Sequence, residues 1–417
     1  MTLDLRPVEV TEAESFVRLV YQAFGSVPDD YSLARACERF EPDFAIGVYD
    51  RGRIVATAGA YPLEMTLPAA PGQTLPTTPV PGVTAVGVAP THRRQGLLTR
   101  MMNHQLADLR DRGYPFATLL ASESIIYGRF GYGWASSYRS LLIESDRDAF
   151  APEVPADAGR MRLVEPDEAG KLLPLVHDRA RHQQPGELNR NARWWANHLK
   201  DPEKERDGAE ARLYAAHESS GGEADGWVSY RYDKLNWPEG IPRHEVVIDD
   251  LVATDAAVAA ALWRFVLDLD LVEEVKAPNR PVDEPLRWML ADPRRLRTTE
   301  VADHLWVRIL DVPAALAARG YPADERLVID VTSADASVAG RFVLESGPQS
   351  GACRAAKRGE KAQLVLGLAD LGAIYLGGLS PSTLAAAGRV NEVAPGALAA
   401  ADRVFASPVA PFCTLHF

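Results

Sequence analysis

Cysteine is scarce in this chain: 417 residues hold three, Cys37, Cys353 and Cys413, and none is spaced as a pair. That argues against a disulfide framework or a thiolate metal site, and the three thiols read as small buried apolar side chains in a reducing compartment. The nine histidines show no metal-ligand spacing either. No run approaches the ~18 consecutive apolar residues of a membrane span. The opening MTLDLRPVEVTEAESF has no basic segment leading into an apolar run, so no secretory signal is expected and the cytoplasm is the expected setting. Basic charge is also in deficit, with 45 Lys and Arg against 57 Asp and Glu and a net charge of −12. A surface of that sign repels phosphate backbones and makes nucleic acid a poor partner, while cationic small molecules and lysine-bearing peptides are favoured. Two phosphate motifs are absent, G-x-G-x-x-G and G-x-x-x-x-G-K-[ST], which argues against dinucleotide and ATP sites.

What remains is the composition of a soluble globular protein, 47% hydrophobic and 24% charged. At ~100–200 residues per domain, the length allows two to four domains. Residues 1–150 read as mixed α/β. Thr11 with Glu14 is expected to cap a helix through Phe16, Val20 and Phe24. Paired strands follow over 44–66 around a turn at Arg51-Gly52-Arg53. Five prolines between Leu67 and Gly82 mark a connecting loop. A strand at Val83–Ala89, a helix from about Gln95 to Arg112 ended by Gly113, and a strand at Phe116–Ala121 complete the region. Residues 151–160 read as a linker. The stretch EVVIDDLVATDAAVAAALWRFVLDLD then repeats the order of an apolar strand feeding a long helix, so 151–300 is read as a degenerate copy of the first domain. Residues 301–417 read as an α+β module: LWVRILDV, ERLVIDVTS, GRFVLES, AQLVLGL and LGAIYLGG as strands, PAALAARG and two alanine-rich segments as helices.

The stretch VTAVGVAPTHRRQGLLTR carries the clearest chemistry. A strand stopped by Pro90 leads through a tight loop into a helix. A helix N-terminus presents unpaired N–H groups and roughly half a positive charge. With Arg93 and Arg94 beside it and Gly96 removing a Cβ, it suits a pyrophosphate, which several cofactors carry. The other reading is an ordinary strand–loop–helix corner with solvated arginines.

The run Arg93-Arg94-Gln95-Gly96-Leu97-Leu98 resembles the acetyl-CoA motif of the GNAT superfamily, [Q/R]-x-x-G-x-[G/A], with Leu98 where glycine or alanine is usual. V-A-P-T-H-R-R-Q-G-L-L at 88–98 and A-S-E-S-I-I-Y-G-R-F-G-Y-G at 121–133 are similar to the Eis acetyltransferases of actinobacteria. The segments PAALAARGY, IYLGG and STLAAAGR resemble that family's third, sterol-carrier-like domain. The resemblance implies a catalytic GNAT domain at 1–150, a cofactor-free GNAT domain at 151–300 and the sterol-carrier-like domain at 301–417. It implies acetyl-CoA as co-substrate, no metal, and a homohexamer. Val86, Gly87 and Val88 are expected to pair by backbone with the pantetheine arm. Arg93, Arg94, Gln95, Gly96, Leu97, Leu98 and Thr99 are expected to hold the pyrophosphate, with Ser122 and Glu123 near the thioester.

By the same resemblance Tyr127 is the general acid, and the terminal carboxylate of Phe417 takes the amine's proton. A phenol of pKa about 10 is protonated at neutral pH and can donate to a leaving sulfur. Phe24 and Met65 resemble pocket-lining positions, while Ser26, Ala85, Leu120 and His416 stand where acidic or larger groups often sit. The function implied is N-acetyl transfer to a cationic small molecule of aminoglycoside or polyamine type. The competing readings are a protein lysine acetyltransferase and a non-catalytic lipid- or sterol-binding protein.

Overall fold

The computed structural model describes residues 3–145, 150–154, 158–348 and 350–417; of the expected linker at 151–160, residues 155–157 lie outside these. The chain forms two compact units. The first comprises Met1–Ser136, His304–Pro408 and His416–Phe417, the second Ser137–Asp303 and Val409–Leu415.

The first unit holds a seven-stranded sheet ordered Asp4–Pro7, Ile46–Asp50, Arg53–Thr66, Thr77–Val88, Phe116–Leu120, Leu305–Ile309 and Gly133–Trp134. Its opening hairpin turns on Arg51 and Gly52, both at positive φ (49° and 78°), the conformation whose twist matches the flanking strands. The helix Ala13–Ala23 packs Phe16, Val17 and Leu19 inward. Thr11 does not cap it: a short 3-10 turn, Val10–Glu12, precedes it, and there the Glu12 carboxylate accepts the Glu9 N–H at 3.0 Å. The loop expected to run to Gly82 ends at Pro76, because Thr77–Val88 is already a strand. Pro79 and Pro81 sit opposite Glu64 and Pro62, and the next strand pairs only with Gly82 and Val83. The missing N–H groups therefore fall along an unpaired edge, where proline is tolerated.

Leu305–Ile309, expected in the C-terminal module, pairs instead with Phe116–Leu120 and Gly133–Trp134 in this first sheet. The reciprocal exchange occurs in the second unit. There Ser137–Glu144 lies between Leu296–Asp303 and Val272–Pro281, followed by His244–Ala253, Ala224–Lys234, Leu213–Glu218 and Arg160–Val164. Both seven-stranded sheets run the same sequence of roles: four antiparallel strands, one parallel pair, the exchanged strand and a closing strand. In each, the fourth strand feeds a helix, Leu97–Asp111 in one and Ala256–Leu267 in the other.

The first unit also carries a five-stranded sheet, ordered Ser350–Ala355, Gly340–Gly347, Glu325–Thr332, Leu364–Gly367 and Val390–Glu392. The helices Val312–Ala318, Pro381–Ala386 and Ala397–Phe405 fall where expected. LGAIYLGG does not form a strand: Leu368–Ile374 is a helix, and Leu368, Leu371, Gly372, Ala373 and Ile374 are all buried. An apolar run buried on every side has no periodicity that separates strand from helix. Among the described residues no helix is long and apolar enough to cross a membrane.

Candidate active site

The site begins where a pair of strands separates. Thr77–Val88 and Phe116–Leu120 run parallel and pair only at Gly82–Thr118 and Val83–Leu119. Two residues on, Ala85 takes φ of 54°, and its carbonyl accepts the Thr57 hydroxyl at 2.9 Å. The register against Arg53–Thr66 shifts at this point, and the strand then continues to Val88 against Thr57 and Ala56. Gly87 and Val88 thus pair on one side with Thr57 and Ala56, Val86 lies in the register shift, and none of the three pairs with Phe116–Leu120 on the other side, where the Val88 carbonyl accepts the Arg93 guanidinium at 3.5 Å.

Beyond them, Pro90–His92 forms one 3-10 turn and Arg93 is extended. Arg94 and Gly96 both adopt positive φ (61° and 78°). Gly96 is the residue before the helix, which opens at Leu97, two residues later than expected, and no side chain caps it. The first-turn N–H groups of this helix are left for an external acceptor. Arg93 is pinned by its guanidinium donating to the Ala23 carbonyl at 3.0 Å. Gln95 turns back, its amide donating to the Thr91 carbonyl at 3.5 Å. The counterpart junction in the second unit differs at this point. Asp255 precedes its helix and accepts the Val258 N–H at 2.9 Å, so a carboxylate already occupies that N-terminus.

A cavity of about 640 Å³ belongs to a different face; the one at this junction is about 610 Å³. It is lined by Val86, Gly87, Val88, Arg93, Arg94, Gly96, Leu97, Leu98, Thr99, Ser122, Glu123 and Tyr127. Of the expected cofactor residues, Gln95 alone does not line it. The sequence reading did not single out Ala23, His92, Ile126 and Arg129, which also line it. Ile126 and Arg129 flank Tyr127 and were within reach of the motif; Ala23 is brought in by a helix far away in sequence.

Tyr127 sits on the short helix Ser124–Gly128, is 6% exposed, and meets the Tyr132 ring edge-on at 6.0 Å. Burial raises its phenol above the usual value. Glu123 adds to that, while the Ser122 hydroxyl pulls the other way. The hydroxyl is therefore protonated throughout the neutral range.

Phe417 lies in a neighbouring cavity of about 310 Å³, across the same strand, with Phe16, Tyr21, Phe24, Phe40, Tyr61 and Ala85, and with Arg39 and Glu41 as its charged groups. Phe24 lines both cavities. Thus Tyr127 and the anion loop share one cavity, and Phe417 stands in the next. Met65, expected at a pocket, is instead fully buried in the core. Among the described residues no group of three or more His, Cys, Asp or Glu side chains is placed to hold a metal ion.

Comparison with known proteins agrees with this architecture. The acetyltransferase (GNAT) domain matches residues 4–135, a second acetyltransferase (GNAT) domain matches 186–309, and the sterol carrier protein domain matches 312–414. An uncharacterised N-acetyltransferase of Streptomyces coelicolor is 40% identical over 99% of each chain. The N-acetyltransferase Eis of Mycobacterium bovis is 36% identical over 82% of this chain and 81% of its own. The crystal structure of Eis1 from Mycobacterium abscessus superimposes with a TM-score of 0.86 at 31% identity, covering both chains completely. Two GNAT domains, a sterol-carrier-like domain and full-length relatives lead to one conclusion: this chain is an acetyltransferase that belongs to the Eis family of N-acetyltransferases.

Proposed function

We propose that the protein transfers acetyl from acetyl-CoA to an amine of a cationic small molecule, of aminoglycoside or polyamine type, within its first GNAT domain. The observation that carries this reading is the coincidence, in one cavity, of an open strand edge at Val86–Val88, an uncapped helix N-terminus at Gly96–Leu97, and the buried hydroxyl of Tyr127. An open edge accepts an extended amide-bearing chain as an added strand would. A bare helix N-terminus with Arg94 suits a pyrophosphate. Those are the recognition needs of coenzyme A, which supplies an activated acyl thioester. Ser122 and Glu123 line the same cavity as Tyr127.

In this reading Tyr127 donates a proton to the departing sulfur, and the carboxylate of Phe417 takes the proton released by the amine. The cavity around Phe417 supports the cationic acceptor: it is walled by Phe16, Tyr21, Phe24, Phe40 and Tyr61, and its lining sets Glu41 against Arg39. Aromatic faces and a carboxylate both attract an ammonium-bearing molecule as it enters. A lysine side chain is the competing acceptor. The domain boundaries at 150 and 300, the cytoplasmic setting and the homohexamer belong to the same proposal. Leu235, Trp237 and Ile241, each more than half exposed within seven residues, offer apolar surface for subunit contact.

The test is release of free thiol from acetyl-CoA with aminoglycosides, polyamines and lysine peptides offered separately. Turnover with at least one small cationic amine is expected. It should fall sharply when a few residues are appended after Phe417, which replaces the carboxylate by an amide. No turnover with any amine would overturn the reading, and turnover with peptides alone would reassign the acceptor.

A further inference from the structure

The cavity of about 640 Å³ noted above lies in the first unit, between the loop that follows Tyr127 and the five-stranded module. Its size falls within the ~300–1,000 Å³ of small-molecule sites. Four guanidinium groups line it, those of Arg110, Arg129, Arg308 and Arg389, against two carboxylates, Asp335 and Asp370. Arg308 is 2% exposed and pairs with Asp335 at 3.0 Å; Arg110 approaches the same carboxylate at 3.9 Å and the exposed Asp111, outside the lining, at 3.8 Å. Arg389 pairs with Asp370 at 2.5 Å. Arg129 lies over the Phe130 ring at 5.8 Å and makes no ion pair among the described residues. Within the lining, one carboxylate therefore serves two arginines, and Arg129 has none.

Like charges confined in a common cavity repel, and the repulsion grows as water is withdrawn. The Arg308 pKa is lowered chiefly by burial, against the opposing pull of Tyr132 and Asp335, and Arg110 adds a smaller lowering. The lining also includes the hydroxyl-bearing Thr332, Ser333 and Ser337, and an apolar wall of Leu106, Phe130 and Leu368.

We propose that this cavity is a binding site for a small organic dianion, a dicarboxylate or a phosphate monoester. Its two charges match the lining's excess of four guanidiniums over two carboxylates, and its carbon body meets the apolar wall. The site lies beside the catalytic cavity, since Arg129 lines both. Arg308 also donates to the Phe130 carbonyl at 2.6 Å, three residues beyond Tyr127, so the site touches the loop on which Tyr127 sits. The inference concerns binding and does not depend on the identity of the acetyl acceptor.

The experiment is calorimetric titration of the full-length protein, saturated with coenzyme A so that the Arg93–Thr99 loop is filled, with succinate and with inorganic phosphate as separate probes. Acetate at matched ionic strength serves as the monoanion control. One saturable site per chain is expected for at least one dianion and none for acetate. The informative variant is Ser333→Asp. The Ser333 hydroxyl accepts the Asp335 N–H at 3.1 Å, a role a carboxylate also fills, so the turn is kept while a negative charge enters the lining. Binding should weaken by about tenfold or more in this variant, and likewise in the Arg110→Gln, Arg389→Gln double variant. Succinate alone binding would assign a dicarboxylate site, phosphate alone a phosphate-ester site. Absence of saturable binding for both dianions, or undiminished binding in Ser333→Asp, overturns the proposal.

Discussion

The Tyr127 hydroxyl is held in the one protonation state that general-acid chemistry needs, because burial and the Glu123 charge both disfavour the phenolate. Tyr127→Phe removes that proton together with the hydroxyl's bond to Ser122 and leaves the ring, so turnover should fall by about 10²-fold or more while coenzyme A affinity, measured by calorimetry, stays within about twofold. Equal losses in both would instead mark the ring as a packing element of the cavity. Gly82 provides a second test, on the other side of the strand. A Cβ there would meet the Phe417 ring at 2.8 Å and a Leu63 methyl at 2.6 Å. The methyl end of a leucine can turn away, but the ring must shift. Gly82→Ala should therefore lower kcat by on the order of tenfold or more, as small misplacements near reacting groups do, with KM for acetyl-CoA little changed. Unchanged kcat would detach Phe417 from the reaction.

The two strand–helix junctions are one design with opposite endings. Gly96 leaves its helix bare, whereas Asp255 fills the corresponding position with its own carboxylate. One acetyl-CoA per chain is thus expected by calorimetry, and two would contradict the contrast. Arg94→Ala should weaken that binding by about 1–3 kcal/mol through loss of a charge-assisted contact. The first junction was readable in the sequence because a short apolar strand, a proline stop and a glycine at the helix entry are local signals; the second was readable as an apolar strand running through Asp255 into an alanine-rich helix. The Tyr127 loop was readable through its glycine spacing and its likeness to relatives. Other elements were not. Pro79 and Pro81 hid a strand whose unpaired edge only the tertiary structure reveals. Ser350–Ala355, reading SGACRA, has little β-propensity of its own and exists through its partner, Gly340–Gly347. Leu305–Ile309 was recognisable as a strand, but nothing in its residues names Phe116–Leu120, far upstream, as its neighbour.

Across the molecule, buried ionisable groups are concentrated in the second unit, and they set its response to acid. Arg190 and Asp250 form a two-bonded pair at 3.0 Å each, with the His198 ring 3.4 Å from the same carboxylate. Burial lowers His198 to about 3. His177 is also lowered, by burial and then by Arg190. Burial alone would raise Asp250, but Arg190 and His198 more than reverse it. Each group is thus held below its unfolded value, and the sign is the same for all three. Their contribution is complete above about pH 6.5. As pH falls toward 3, each histidine that stays neutral in the folded state removes at most about 1.4 kcal/mol per pH unit, and Asp250 adds to the loss below about pH 4. Urea midpoints should therefore decline steadily from pH 7 to pH 5. Replacement of His198 by Gln should flatten that decline, and an unaltered slope would clear His198 of any part in it.

The exchange of strands between the two sheets also bears on how the protein is made. Phe116–Leu120 leaves the ribosome early, yet its sheet neighbour Leu305–Ile309 arrives only after Ser137–Asp303, the bulk of the second unit, has been synthesised. At roughly 5–20 residues per second, that leaves an unpaired strand edge exposed for on the order of ten seconds or more. An edge left open that long invites pairing with other nascent chains. A fragment ending at residue 150 keeps the open edge permanently, and it should be recovered mainly from inclusion bodies. Supplying residues 304–417 from a second gene in the same cell should return it to the soluble fraction. The covalent route from one sheet to the other and back thus leaves that edge without its partner until Leu305–Ile309 emerges.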